Sequence, residues 1–464
     1  METGNGVQGP LRRLRRFLDQ YWFGEGSYRD LAIARIVIIG GHLLFFYPPL
    51  SRQIDRAQAP PDTFSALPAL KVLLLPLGEW GIRPDPTLIH AVWIVGILAG
   101  IAALAGKYTR LSLFTHAAAT TLILAHYLSY GTVHHTRSLL VIALWALAFS
   151  PAGRVWSVDD LTQRVSDAVA RGRFLRGAPE RAFGPMARWP LLLIQWTLAL
   201  AYFSAGMSKL IYGGLDWFRP STLTFYLTQD AVRQDAPFGL MLTGFPEFLT
   251  AIAVGTVVFE LLFFLAVIVP RTAWLFVLMG CGMHVGILLT MGAPFLTWSL
   301  LYVAFLPSLR ATVQSSTLMS ALRRRMPPTR SREAWLVIYD GRCSLCIRSM
   351  TVLDYLDSGD RTEPVNFERE WDRVRTRAPS LTPEHARHAM QLLTPDGRRL
   401  EGFHAFRELT RIIPLLWPLA PVTHFPGANT IGPRVYEAVA TRRSRVGPCA
   451  TGACQVRPLR TTAS

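Results

Sequence analysis

At 464 residues the chain has room for two or three domains; half of it is apolar and only 17% is charged, against roughly 25% in soluble proteins. The net charge of +17 does not mark a nucleic-acid binder, because the basic residues form no stripe interleaved with aromatics and instead flank apolar segments, where the positive-inside rule places them. Five cysteines are too few for a disulfide scaffold.

Residues 1–30 form a basic arm. Leu11-Arg-Arg-Leu-Arg-Arg16 runs into an amphipathic stretch rather than an apolar core with a small-residue cleavage site, so no cleavable signal peptide is expected. Residues 31–308 are dominated by apolar runs. A membrane-crossing helix needs roughly 20 such residues, and candidates lie at 31–50, 88–106, 111–129, 137–151, 189–212, 248–269, 272–292 and 294–308. Eight crossings put the basic arm and the basic-rich loops 107–110, 152–188 and 270–271 on one side of the bilayer, together with the segment that follows residue 308. Loops 51–87, 130–136 and 213–247 then fall on the other side. By the positive-inside rule this predicts a multi-pass protein of the cell (inner) membrane with both termini cytosolic and the lipid bilayer as its solvent.

Ionisable residues inside apolar helices are costly and point to function. The candidates are Lys209, Glu260, His284 and the His134-His135 pair. Of 48 basic residues only three are lysines, Lys71, Lys107 and Lys209. Snorkelling to the interface would be served equally by the arginine this chain prefers, whereas lysine can lose a proton and act as a base. For Glu260 the bland reading is a hydrogen bond or salt bridge within the bundle, for His284 close packing between small residues, and for His134 and His135 a wet surface. In the eight-helix topology Lys209, His134, His135 and His284 all lie toward the outer leaflet, the arrangement a base site needs.

Ala201-Tyr-Phe-Ser-Ala-Gly-Met-Ser-Lys209 with Asp216-Trp217, Met283-His-Val-Gly-Ile-Leu-Leu-Thr-Met-Gly292 and Trp156-Ser-Val-Asp159 resemble signatures of the HTTM family, bacterial relatives of vitamin K-dependent gamma-carboxylase. The resemblance covers about residues 20–308. It implies a helical membrane fold, a base at Lys209 assisted by a histidine near His135, and a quinone-like or lipid ligand. The large lumenal domain of the carboxylase has no counterpart here, so the resemblance does not imply glutamate carboxylation.

Residues 309–333 read as a basic linker (Arg323-Arg-Arg-Met-Pro-Pro328), either drawn to anionic headgroups or simply solvated. Ala334-Trp-Leu-Val-Ile-Tyr-Asp340 reads as a strand, Gly341 as a turn, and Ile347–Leu356 as a helix, with Cys343-Ser-Leu-Cys346 at its start. That is the thioredoxin arrangement. The partial positive charge at a helix N-terminus favours a thiolate, and Arg342 and Arg348 add to it. Cys343 is expected to be the exposed nucleophile and Cys346 the resolving thiol. Asp340 either assists proton transfer or caps the turn. Met390–Gly402 reads as a hairpin around Pro-Asp-Gly and Phe403–Leu419 as a helix. A zinc site formed with Cys449 and Cys454 would span about a hundred residues, far beyond common spacings, so no metal is expected; a purely structural pair is the other alternative to redox.

Asp340-Gly-Arg-Cys-Ser-Leu-Cys346, with Gly402-Phe-His-Ala-Phe406, Pro426-Gly427 and Val435-Tyr436, resembles the DCC family of thiol-disulfide oxidoreductases over about 334–446. The proline that usually faces the C-x-x-C in thioredoxins is not evident; Pro364 and Pro421 are the options. A Cys-containing disordered tail is expected at 447–464. The sequence thus predicts an α-helical polytopic membrane bundle of about eight helices and a small C-terminal α/β thioredoxin-like domain. Its expected activity is that of a membrane-tethered protein-disulfide reductase acting on protein disulfides or thiols. The alternative is a bundle that binds or modifies a lipid or quinone at Lys209, with the small domain as its redox supplier or regulator.

Overall fold

The computed structural model describes residues 8–74, 83–131, 137–174, 176, 183–234, 236–292, 295–315 and 334–441. His134, His135, most of the linker, Cys449 and Cys454 lie outside them. The chain divides into two compact units, one of Met1–Asp159 with Glu180–Ala321, the other of Asp160–Pro179 with Leu322–Ser464.

The first unit is built of helices, the form in which an apolar segment satisfies its own backbone. Among the described residues four are long and apolar enough to cross a membrane: Pro86–Ala105, Thr109–Leu128, Trp189–Phe218 and Pro270–Met291. A fifth is a broken pair, Tyr28–Phe46 and Leu50–Ala57, bent by 65° where Pro48 and Pro49 interrupt the helical hydrogen bonds. The other expected crossings fall short. Ser138–Ala148 has 11 residues. Pro246–Leu262 has 17 and resumes after Phe263-Phe264 only for Leu265–Ile268. The 294–308 run splits into Leu296–Leu301, a 3-10 turn over Tyr302–Phe305 and Leu306–Ser315. Among the described residues four helices, or five with the broken pair, are thus long and apolar enough to cross a membrane, and eight crossings are not shown.

The core of this unit packs Leu31, Ile38, Leu147, Leu198, Tyr202 and Phe305, each at most 2% exposed. It also encloses a fully buried arginine. Arg35 donates from Nη1 to the Ala152 carbonyl at 2.9 Å and from Nη2 to the Trp156 carbonyl at 2.5 Å, so its charge meets the carbonyl ends of a turn. Next in the chain, Asp159 caps the helix Thr109–Leu128, accepting from Tyr108 N–H (2.9 Å), Thr109 N–H (2.7 Å) and Thr109 Oγ1–H (2.7 Å). Partial burial works against ionisation of Asp159, but these bonds and the nearby Lys107 charge outweigh it and hold the carboxyl below the usual range. A two-residue antiparallel bridge joins β1 (Gly26–Ser27) to β2 (Phe183–Gly184).

The second unit holds a four-stranded sheet of β3 (Trp335–Tyr339), β4 (Thr362–Asn366), β5 (Gln391–Leu393) and β6 (Arg399–Glu401), in the order β4-β3-β5-β6. β3 and β4 are parallel, with Val337 opposite Pro364. They are joined through the helix Ser344–Leu356. β5 runs antiparallel to β3, with Val337 opposite Leu392, and pairs with β6 in a hairpin. Its turn uses Gly397 at φ +86°, a left-handed conformation that favours glycine. The strand alternates its faces. Val337 and Tyr339 pack with Ile347, Met350, Ala405 and Leu409, while Leu336 and Ile338 pack with Val365, Phe367 and Val374 on the other side.

The first of these two cores includes a segment the sequence placed in a loop. Ala168, on the helix Val158–Ala170, is 1% exposed within it. Phe174 meets the Tyr339 ring edge-on at 6.3 Å, the Arg164 guanidinium lies over the Tyr355 ring at 5.2 Å, and Arg176 pairs with Asp360 at 3.5 Å. The α/β unit is thus completed by chain from between two apolar helices. Phe→Ala in a full core costs about 3–5 kcal/mol. The partly buried Phe174 is expected to cost about 2 kcal/mol on this basis, read as faster hydrogen exchange in Trp335–Tyr339 of the Phe174→Ala chain. Unchanged protection there would show that the segment only rests on the domain.

Candidate redox site and the buried polar pairs

The redox site is a strand end, a turn and a helix start. β3 ends at Tyr339, and Asp340 turns the chain: its Oδ1 accepts the Arg342 N–H at 2.9 Å, the local bond that favours Asp in turns. Gly341 is closely covered: a Cβ there would strike the Asn366 carboxamide at the end of β4, which would have to shift. Cys343 is the N-cap of the helix Ser344–Leu356, and its carbonyl accepts the Ile347 N–H at 3.0 Å. Arg348 is exposed, whereas Arg342 pairs with Glu368 at 3.3 Å, so part of its charge is offset.

Accessibility differs from expectation. Cys343 is 4% exposed. Cys346, one turn further on, is half-buried and borders a cavity of about 690 Å³. Cys343 is thus enclosed in the domain, while Cys346 lines the cavity. The cavity is walled by Tyr339, Asp340, Met390, Phe403, Val435 and Tyr436 among others, most of them apolar. The glycine and aromatic elements of the C-terminal half converge here. Tyr436 Oη accepts the Met390 N–H at 3.0 Å. Gly402 sits at φ +58° beneath the Tyr436 ring, and Gly432 leaves space for the Phe403 ring. Neither Pro364, in mid-strand, nor Pro421 lines the cavity; Met390, just before β5, does.

In the first unit, two membrane-site candidates are partners. Lys209 Nζ donates to both carboxylate oxygens of Glu260, at 2.7 and 2.8 Å, and lies 5.2 Å from the Trp217 ring centroid. Gly206 makes the pairing possible, since a Cβ there would lie 3.1 Å from that of Glu260. His284, 2% exposed, is engaged elsewhere: the Tyr202 hydroxyl lies 2.5 Å from His284 Nε2 and 2.5 Å from the Tyr302 hydroxyl. The expected convergence of Lys209 with His134 and His135 lies outside the described residues. The sequence reading passed over a second buried pair, His42 Nδ1 to His116 Nε2 at 3.0 Å, with His116 Nδ1 on the Gly96 carbonyl at 2.7 Å. Histidine within an apolar run was the available signal. Among the described residues no group of three or more His, Cys, Asp or Glu is placed to hold a metal.

A dithiol at the junction of a central strand and a helix in a small α/β domain defines a thiol-disulfide class of site. The family model for DCC1-like thiol-disulfide oxidoreductase matches residues 337–448, and this part of the chain is a domain of that kind. No curated protein and no solved structure matches the chain. Nothing in these comparisons supports an HTTM domain over 20–308.

Two outcomes test these assignments. Removing one partner of a buried ion pair costs about 3–5 kcal/mol. Lys209 is 20% exposed, so Glu260→Leu is expected to cost about 2 kcal/mol, recovered in the Lys209→Met/Glu260→Leu chain, by thermal unfolding in detergent. A single variant as stable as the parent would remove the pair's structural role. Burial, with Glu370 nearby, pushes the Tyr339 hydroxyl up to about 12, from about 10 in an unfolded chain. A raised folded value means that this contribution to stability is complete below pH 10 and is lost as pH rises through about 12. Tyr339→Phe is expected to flatten the alkaline unfolding profile of the second unit across that window.

Proposed function

We propose that the protein is a membrane-tethered thiol-disulfide oxidoreductase of the disulfide-reductase type, with Cys343 and Cys346 as its exchanging pair. The observation that carries this reading is the C-x-x-C at a helix start in a DCC1-like domain, with Cys346 lining an apolar cavity. The thioredoxin-like reading draws support from the strand order and from the dithiol following the central strand. Tethering is supported by the long apolar helices, and a cytosolic domain by the basic runs Arg12–Arg16 and Arg323–Arg325.

In the proposed cycle a substrate disulfide enters the cavity and the Cys346 thiolate attacks one of its sulfurs, releasing the other as a thiolate that takes up a proton. Cys343 then attacks Cys346 in the mixed disulfide. This frees the substrate's second thiol and leaves the Cys343–Cys346 disulfide, so two electrons and two protons pass to the substrate. The apolar wall favours apolar segments of protein substrates. Asp340 orders the turn that holds both sulfurs. A lipid or quinone-like ligand of the bundle would meet Lys209 only as one half of its pair with Glu260.

Insulin-disulfide reduction by the full chain is expected to fall at least a hundredfold in both Cys343→Ser and Cys346→Ser. The Cys343→Ser chain is expected to accumulate the mixed disulfide on Cys346. Accumulation on Cys343 in the Cys346→Ser chain instead would reverse the two roles, and full activity in either variant would end the redox reading.

A further inference from the structure

Residues 412–433 contain no Asp, Glu, Lys or Arg, and two exposed arginines, Arg411 and Arg434, bound the stretch. An uncharged run of this length is what a spanning helix needs. Here Pro414, Pro418, Pro421 and Pro426 break it into a 3-10 turn over Pro414–Leu419, a short helix over Ala420–His424 and the start of the helix Ala428–Thr441. One side of the run closes the domain core through Ile413 and Leu416. The other side is bare. Among the described residues, every large apolar side chain that the α/β unit leaves exposed lies between Leu415 and Val439. Leu415 and Trp417 are each 58% exposed and Val422 is 67% exposed. The Trp417 indole N–H donates to the Arg411 carbonyl at 3.0 Å, so the ring can leave water without stranding a donor. On the last helix Ile431, Val435 and Val439 continue the exposed face at a spacing of four residues, and all three also line the cavity beside Cys346. The exposed face and the cavity thus share a wall.

We propose that this face seats in the interface of a lipid bilayer and that the cavity takes protein disulfides presented at the membrane surface. This rests on the membrane-tethered redox reading above. Apolar surface gathered on one side of a domain marks a partner, and three observations select lipid. Arginines at both ends of an uncharged run, with a tryptophan ring turned out between them, are the distribution found where protein meets headgroups. Leu415, Trp417 and Val422 stand on short irregular pieces rather than on one flat helix face, which suits a fluid layer better than a second copy. The same chain carries helices long and apolar enough to cross a membrane, so its partner of nearest chemistry is a bilayer.

The full chain is reconstituted in bilayer discs of phosphatidylethanolamine and phosphatidylglycerol, with a trace of phosphatidylglycerol that carries a photoactivatable diazirine in its acyl chain. After illumination, label is expected on the helix Pro86–Ala105 and on peptides from 412–441, and not on 362–401. Leu415 and Trp417 lie outside the cavity lining. In the Leu415→Glu/Trp417→Glu chain, label on 412–441 is expected to fall about tenfold, because a large apolar side chain kept out of water is worth about a decade in an equilibrium, while Pro86–Ala105 keeps its label. With a palmitoylated disulfide peptide in the discs and insulin in solution, the ratio of the two reduction rates is expected to fall in that variant by the same order. A parent chain labelled on Pro86–Ala105 but no more on 412–441 than on 362–401 overturns the docking, whatever the variant does. An unchanged rate ratio overturns it too, as does label on 412–441 that is present in discs holding one chain and lost in discs holding two, which gives the face to a second copy. Absence of label from Pro86–Ala105 would overturn the tethered reading instead. Label on 412–441 without reduction of either substrate would end the redox reading and leave the lipid contact standing.

Discussion

The redox domain depends on one tight junction, the contact of the Asp340-Gly341 turn with the end of β4. β3 and β4 are parallel, so the chain leaving β3 passes over the strand to which it will return. Asn366 fills that passage, and a side chain at Gly341 would have to displace its carboxamide. Asp340 spends its carboxylate on the Arg342 N–H, and the helix begins at once. Both sulfurs are positioned by this sequence of constraints, one at the helix cap and one a turn later. The sheet, with apolar residues on both of its faces, makes the junction rigid.

In the helical unit the governing constraint is different: a polar group removed from water needs a partner. Arg35 finds two carbonyls, Lys209 finds Glu260, and Tyr202 is shared between His284 and Tyr302. Each pairing ties together helices that are otherwise held by apolar packing, which alone has little preference for one rotation of a helix over another. The polar pairs therefore supply register. Lys209 departs from the arginine habit of the chain, and its site offers a reason. A compact ammonium fits between a carboxylate and the face of Trp217, where a planar guanidinium would need more width.

The DCC1-like match and the compact unit do not have the same limits. The family region begins in β3 and ends beyond the last helix, yet the apolar core beneath β3 is closed by Ala168 and Phe174 from a distant part of the chain.

Much of the redox domain was legible because its code is local. The strand, the turn with Asp340 and Gly341, the C-x-x-C at a helix start and the hairpin around Gly397 all depend on neighbours a few residues apart, and the structure has them in place. The apolar runs also announced helices, but not how many of them cross. Prolines and short turns divide three of the expected eight, and hydropathy averaged over a window does not register such breaks. Other features were decided by tertiary structure alone: the union of Lys209 with Glu260, the burial of Cys343 while Cys346 borders a cavity, and the insertion of residues 160–176 into the redox domain. Each depends on which surfaces meet across fifty to two hundred residues of chain. Periodicity specifies which face of an element is apolar, but only packing selects the partner that covers it.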